Sequence, residues 1–314
     1  MKYIATFHEN ENIKDIYMIK QRTSAVTKTG KAYDNVILQD KTGNIDGKIW
    51  DPNSAGIDDF EAFDYVEITG SVKEFNSSLQ ISISRARKAH EGEYNEADYL
   101  PVSANSIDGM YNELLIYVNG IENEYLSKLC KAFFVEDERF IERFKKSSAA
   151  KSIHHGFVGG LLEHTLSVTR LCDYYCRAYP ILKKDLLITV AMLHDIGKIR
   201  EISLFPENDY TDDGQLLGHI VMGSEMVSRK IEDIEGFPER LASEVKHCIL
   251  AHHGEYEYGS PKKPALIEAL ALNFADNTDA KLETLTEQLK STANTGWLGY
   301  NRLIESNIRK TSDI

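Results

Sequence analysis

The sequence predicts an α+β chain of two domains, a small β-barrel followed by an all-α helical bundle. Three observations carry that prediction. Apolar residues alternate with a period of two through much of the first 90 positions, and from Met110 the period becomes helical. Eight of the ten histidines fall between His154 and His253, inside the helical part.

The strands come first. Residues 16–22 open one that continues toward Val26, and residues 33–39, with Val36, Ile37 and Leu38, form a second. Asp40-Lys-Thr-Gly-Asn44 has turn chemistry, with Gly43 free to take positive φ. Beyond it Ile45, Gly47 and Ile49 alternate with Asp46, Lys48 and Trp50, the pattern of a half-buried strand. Residues 65–72 and 79–84 alternate again, joined by a turn at Asn76-Ser-Ser78. Five such strands make a small barrel over residues 1–90.

Residues 91–109 are polar and acidic, with Pro101, and read as a linker. In the helical domain, residues 110–314, an apolar stripe runs through Leu114, Leu115, Val118, Ile121, Tyr125 and Leu129, and Phe140, Ile141 and Phe144 continue it after a break. Residues 161–176, 184–193, 238–251 and 264–289 read as further helices, with Pro238 and Pro264 at first-turn positions.

Composition excludes several classes. A hydrophobic content of 42% with 27% charged residues is globular rather than disordered. No run approaches the roughly 20 apolar residues of a membrane span, and the N-terminal apolar stretch is too short for a secretory signal. The four cysteines show no paired framework; Cys172 and Cys176, four apart on a helix, read as core residues, and a reduced, cytoplasmic location is expected. A net charge of −13 argues against a protein that coats nucleic acid. Residues 1–90 carry 12 Lys/Arg against 13 Asp/Glu, so the acidity lies in the helical half, where bound cations would offset it.

Six stations in that half carry imidazole or carboxylate: His164, His194 with Asp195, His219, His252 with His253, and Asp276. A bundle whose helices point them inward could assemble a metal site. Neutral imidazole suits Mn, Fe, Co, Ni or Zn, and an aspartate can bridge two cations about 3.5–4 Å apart. Gly197 is expected to end the helix over 184–193, leaving His194-Asp195 in its last turn. His252 and His253 cannot share one face of a regular helix, but Gly254 follows them and an unwinding end could aim both at one cavity. His8, His90 and His247 read as surface or packing residues. His154 and His155, ahead of a Gly-rich helix entry, are candidates for contact with substrate or for support of a ligand.

His164, His194-Asp195 and Asp276 match the His…His-Asp…Asp pattern of the HD-domain phosphohydrolase superfamily, and His219, His252 and His253 match its dinuclear members. The wider phrases agree: His154-His-Gly-Phe-Val-Gly-Gly-Leu-Leu-Glu-His-Thr165, Leu193-His-Asp-Ile-Gly-Lys198, Leu217-Gly-His-Ile220, Ala251-His-His-Gly254, Gly259-Ser-Pro261 and Ala275-Asp-Asn-Thr-Asp-Ala-Lys281. The hairpin over residues 38–50 resembles that of nucleic-acid-binding OB-folds. Together they resemble the YhaM family of 3′→5′ exoribonucleases over nearly the whole chain. Asn273 stands three before Asp276, where histidine in relatives would be no surprise, and is not assigned as a ligand.

The resemblance implies phosphodiester hydrolysis with two divalent cations. Manganese is the first choice, with cobalt, iron, nickel and zinc as alternatives. His164, His194, Asp195 and Asp276 would take one cation; His219, His252 and His253 would take the other, with Asp195 shared. Lys198, three residues from Asp195, would meet a phosphate oxygen; its bland alternative is a surface lysine near a helix C-terminus. Asp279 is a candidate support. For the barrel, Arg22, Lys31, Lys48 and Lys73, interleaved with Tyr17, Tyr33, Trp50 and Phe75, are candidates to track a backbone and stack bases. Single-stranded RNA is the expected partner, with single-stranded DNA as a second substrate; no membrane partner is expected and a homo-oligomer is left open. Two rival readings remain: an HD-type phosphodiesterase of small nucleotides or cyclic dinucleotides, and a non-catalytic single-strand-binding protein.

Overall fold

The computed structural model describes residues 1–27, 29–75, 78–151, 155–290, 295–301 and 304–312. It divides into two compact units, Met1–Val102 and Ser103–Ile314, each with its own apolar core.

In the first unit five strands close into a barrel: β1 (Asn12–Val26), β2 (Ala32–Asp40), β3 (Gly43–Ile49), β4 (Tyr65–Phe75) and β5 (Ser78–Lys88). Their order is β1-β2-β3-β5-β4, with β1 also pairing β4 and β3 running parallel to β5, the arrangement of an OB-fold. The long β1 serves two neighbours because a bulge between Ile19 and Gln21 turns it from β4 toward β2. Alternation then sorts the side chains: Ile45 and Ile49 face the core, while Asp46 and Lys48 lie outside it. Of the turn predicted at Asn76-Ser-Ser78, the first two residues lie outside the described ones. Within the stretch expected as a linker, Tyr94 stacks on Tyr65 at 3.8 Å between ring centroids and Tyr99 meets the same ring edge-on.

The second unit is helical: α1 (Ile107–Asn119), α2 (Glu124–Phe134), α3 (Glu138–Lys146), α4 (Gly160–Ala178), α5 (Lys184–Leu193), α6 (Lys198–Glu201), α7 (Asp212–Glu232), α8 (Glu239–Ala251) and α9 (Ile267–Lys290). Ser106, Asn123, Asp137 and Thr211 cap α1, α2, α3 and α7 by accepting first-turn N–H groups. Every residue of α5 from Leu186 to Leu193 is buried, and α2, α4, α8 and α9 pack around it. Pro238 is the residue before α8 and Pro264 precedes α9 by three, so neither sits in a first turn as expected; their fixed φ shapes the entry instead. Besides the one-turn α6, two longer elements escaped the sequence reading. One is α7, whose period Gly214 and Gly218 interrupt, and the other is a hairpin of β6 (Trp297–Asn301) and β7 (Ser306–Arg309). Among the described residues no helix is long and apolar enough to cross a membrane.

Candidate metal centre

Five helices and their ends deliver the seven candidate ligands to one place. His164 lies in the first turns of α4 and Asp276 in the middle of α9. His194 is the residue after α5, and a short turn carries Asp195 into α6. His252 caps α8, and Gly254 at φ +79° then reverses the chain so that His253 joins it, the two rings 4.4 Å apart. Asn273 donates to the carbonyl of His252 at 2.7 Å, satisfying a helix-end acceptor. That bond braces the double histidine.

Gly197 does not end α5 as expected. It is right-handed at φ −62°, and α5 stops four residues earlier. The glycine is needed for space: a Cβ there would lie 2.7 Å from the backbone N of Gly223, 2.8 Å from the carbonyl carbon of His219 and closer still to that carbonyl's oxygen. The turn after His194-Asp195 thus presses against the turn of α7 that carries His219. Within α7, Gly218 at φ +73° breaks the helix immediately before that histidine.

The ligand atoms fall into two sets that share one residue. Nε2 of His164, Nε2 of His194 and a carboxylate oxygen of Asp276 lie within 4.8 Å of one another, as do the ring nitrogens of His219, His252 and His253. Asp195 stands between the sets. Its Oδ2 is 3.3 Å from His164 Nε2 and 3.4 Å from His194 Nε2, while its Oδ1 is 3.4 Å from His219 Nε2 and 3.6 Å from His252 Nε2. A carboxylate with one oxygen toward each group is the geometry of a bridge.

Each ring is anchored from behind. Nδ1 of His194 donates to the carbonyl of Ala191, His252 to Ile249 and His253 to Tyr258, at 2.7–2.8 Å. His164 Nδ1 donates to Asp279 at 2.7 Å and His219 Nδ1 to Glu201 at 2.9 Å. With Nδ1 carrying the proton, each ring in its neutral form presents an Nε2 lone pair to the centre. Glu201 drew no notice in the sequence; its place at the end of the one-turn α6, well ahead of an unpredicted helix, left no local signal.

The electrostatics fit cations. Burial alone would lower the His164 pKa, but Asp195, Asp276 and Asp279 outweigh it and raise it well above the usual histidine range. Burial would raise Asp195, yet Lys198, His194 and His164 hold it well below the carboxylate range. Asp276 is likewise held low against burial by His164, His194 and His252. Burial, with neighbouring imidazoles, pushes His252 and His253 down toward the neutral, ligating form. Asp195 Oδ1, His219 Nε2 and His252 Nε2 are buried with no hydrogen-bond partner among the described residues. A buried polar atom left bare costs about 1–3 kcal/mol, so two bare imidazole nitrogens facing one bare carboxylate oxygen fit a bound cation.

Other expectations fare differently. Lys198 is not on open surface: its Nζ lies 2.7 Å from Asp195 Oδ2. His155 is buried and bonds Asp279 through Nε2 at 3.1 Å, so it braces Asp279 and is not open to substrate; His154 lies outside the described residues. His247 Nε2 accepts from the backbone N of Ala265, away from the centre. In the barrel, Arg22 is corrected: its guanidinium pairs with buried Asp34 at 2.8 Å, donates to the carbonyl of Phe60 and lies over that ring. Tyr17 is a fully buried core residue. Tyr33 and Trp50 stack with centroids 5.5 Å apart on the outer face of β2 and β3, beside Lys48, which bonds Asn35. Lys31, Lys73 and Phe75 are exposed, Lys73 and Phe75 being on β4.

Comparison with known proteins agrees with this geometry. The HD domain family matches residues 161–281, a span that contains all seven candidate ligands. The 3′-5′ exoribonuclease YhaM of Geobacillus sp. (strain WCH70) is 30% identical over 290 residues, 92% of this chain and 88% of that protein. A solution structure of the second OB-fold domain of replication protein A from Methanococcus maripaludis, 21% identical, covers 29% of this chain and 96% of its own at a TM-score of 0.24; the barrel's assignment rests on its strand order and not on that likeness. With an HD domain in the helical unit and a relative matched along both units, the chain belongs to the YhaM family of exoribonucleases.

Proposed function

We propose that this chain removes nucleotides from the 3′ end of single-stranded RNA by metal-dependent phosphodiester hydrolysis, the helical unit cutting and the barrel holding the strand. The observation that carries the chemistry is Asp195, with one carboxylate oxygen toward His164 and His194 and the other toward His219 and His252. The direction of cleavage and the RNA substrate rest on the relative, which is a 3′-5′ exoribonuclease by name.

His164, His194, Asp276 and Asp195 Oδ2 would hold one divalent cation, and His219, His252, His253 and Asp195 Oδ1 a second. Such cations, manganese foremost, supply Lewis acidity and lower the pKa of water toward neutrality. The residues do the rest. Hydrogen bonds through Nδ1 keep the imidazoles aimed inward. Asp195, held ionised, keeps its charge where the two sets meet. Lys198, kept charged against burial by Asp195, offers an ammonium group to a phosphate oxygen. On the barrel, Trp50 and Tyr33 give a face on which bases stack without sequence reading, with Lys48 close by and Lys31, Lys73 and Phe75 on exposed strand ends. Single-stranded DNA, which offers the same stacking bases and phosphates, is a second substrate for such a grip.

The test is 5′-labelled single-stranded RNA incubated with the purified protein and Mn²⁺, with and without chelator, alongside Asp195→Ala. Stepwise shortening from the 3′ end that requires both the metal and Asp195 supports the reading. Cleavage confined to small or cyclic nucleotides would replace it with the small-nucleotide phosphodiesterase, and binding without cleavage with a single-strand-binding protein.

A further inference from the structure

Glu201 is a buried carboxylate with no Lys or Arg in contact among the described residues. Burying an ionised carboxylate is costly unless it does something there, and here its bonds all go to one residue. Oε1 accepts from the backbone N of His219 and from His219 Nδ1, both at 2.9 Å. The first bond matters because Gly218 interrupts α7, so the N–H of His219 belongs to a helix start and lacks an intrahelical acceptor. The second fixes the ring so that Nε2 faces Asp195 Oδ1. Glu201 is itself clamped: its carbonyl accepts from the N of Thr211, and a Cβ at Gly214 would collide with its backbone.

The two ligand sets also differ in charge. The set around His164 and His194 faces Asp195 Oδ2 and Asp276, with Asp279 behind His164. Among the described residues, the set around His219, His252 and His253 has one carboxylate oxygen within 4 Å of its inward nitrogens, Asp195 Oδ1, and is otherwise imidazole. The rings of His252 and His253 are anchored by backbone carbonyls, which bring no charge. Among the described residues Glu201 is therefore the one carboxylate bonded to this set from behind, and a carboxylate on Nδ1 makes Nε2 a stronger donor to a cation.

We propose that Glu201 is a positioning residue that sets the metal affinity of the His219–His252–His253 half of the centre, acting through His219. This rests on the two-cation reading of the site above. It predicts asymmetry: loss of Glu201 weakens one binding event and spares the other.

The experiment is a stepwise Mn²⁺ titration of the chelator-treated full-length protein, followed by calorimetry and by the paramagnetic signal of free Mn²⁺, with apo-protein melting as a check on folding. The variants are Glu201→Gln, which keeps the shape and removes the charge, His219→Ala, and both together. The expected result is two binding events in the wild type and one of them weakened about 10–100-fold in Glu201→Gln, with the other event unchanged. The double variant should bind no worse than His219→Ala alone. Equal weakening of both events, no weakening, or a further loss in the double variant would overturn the proposal. If Glu201→Gln does not fold, Glu201→Asp, which keeps the charge and shortens the reach, should weaken the same single event; a wild-type profile in that variant would count against the proposal. A wild type that binds one ion only would sink the two-cation reading and with it the asymmetry predicted here, whereas two wild-type events left unchanged by Glu201→Gln would sink the proposal alone.

Discussion

Replacing Gly197 by alanine sets two physical expectations against each other. Gly197 has right-handed helical geometry, φ −62° and ψ −24°, so by backbone propensity alone an alanine should stabilise by about 0.5–1 kcal/mol. The packing says the reverse. The new Cβ would lie 2.7 Å from Gly223 N and 2.8 Å from the carbonyl carbon of His219, both backbone atoms that no side-chain rotation can move aside. Overpacking costs about 1–3 kcal/mol even where side chains can adjust, so the upper end applies and about 2 kcal/mol of net destabilisation remains. For a unit the size of Ser103–Ile314 that corresponds to a fall in Tm of about 4–8 °C. The displaced element is the turn that carries His219, so Mn²⁺ uptake should fall as well. Differential scanning calorimetry and a metal titration of Gly197→Ala read both effects. An unchanged or raised Tm would refute the close-approach argument and return this glycine to a conformational role.

Three further outcomes follow from exposure, ion pairing and burial elsewhere in the chain. Trp50→Ala, at a ring 55% exposed, should leave the melting of the barrel unchanged while weakening single-stranded RNA binding by about 5- to 150-fold, the worth of one stacked base; fluorescence anisotropy with a labelled strand checks it. Arg22→Ala should act in the opposite way, costing the barrel about 3–5 kcal/mol because Asp34 is left buried without its cation, and any strand binding by the folded fraction should be unaffected. Burial pushes Cys130 and Cys248 up to about 12 and raises Cys172 as well, so a thiol reagent at pH 8 should meet only half-buried Cys176 quickly, and all four cysteines only after unfolding. Fast reaction of three or more thiols in the native protein would contradict the packing of α2, α4 and α8.

Alternation made the five strands legible, because a strand's two faces differ at every second residue and the sorting is local. The helices over 161–176 and 184–193 were legible for the same reason at a different period. The candidate ligands stood out by residue type: eight of the ten histidines lie between His154 and His253, with Asp195 inside that span and Asp276 after it, whereas residues 1–90 carry only His8 and His90. The helix α7 was not legible, since Gly214 and Gly218 interrupt its period: Gly214 makes room for the backbone of Glu201, and Gly218 takes the positive φ that breaks the helix before His219. Arg22 was misread because a cation on a strand looks alike whether it faces solvent or Asp34.

By itself, then, the sequence determined the order of the two units, the facing of most strand residues, and which side chains could bind a metal. Only the tertiary structure decided which oxygen of Asp195 meets which histidines, that Gly197 is there for space, and that Glu201 and Asp279 stand behind His219 and His164. The reason is range. Periodicity is written within one turn or one pleat, whereas these contacts join residues 18 and 115 positions apart and exist only once two helices have been brought together.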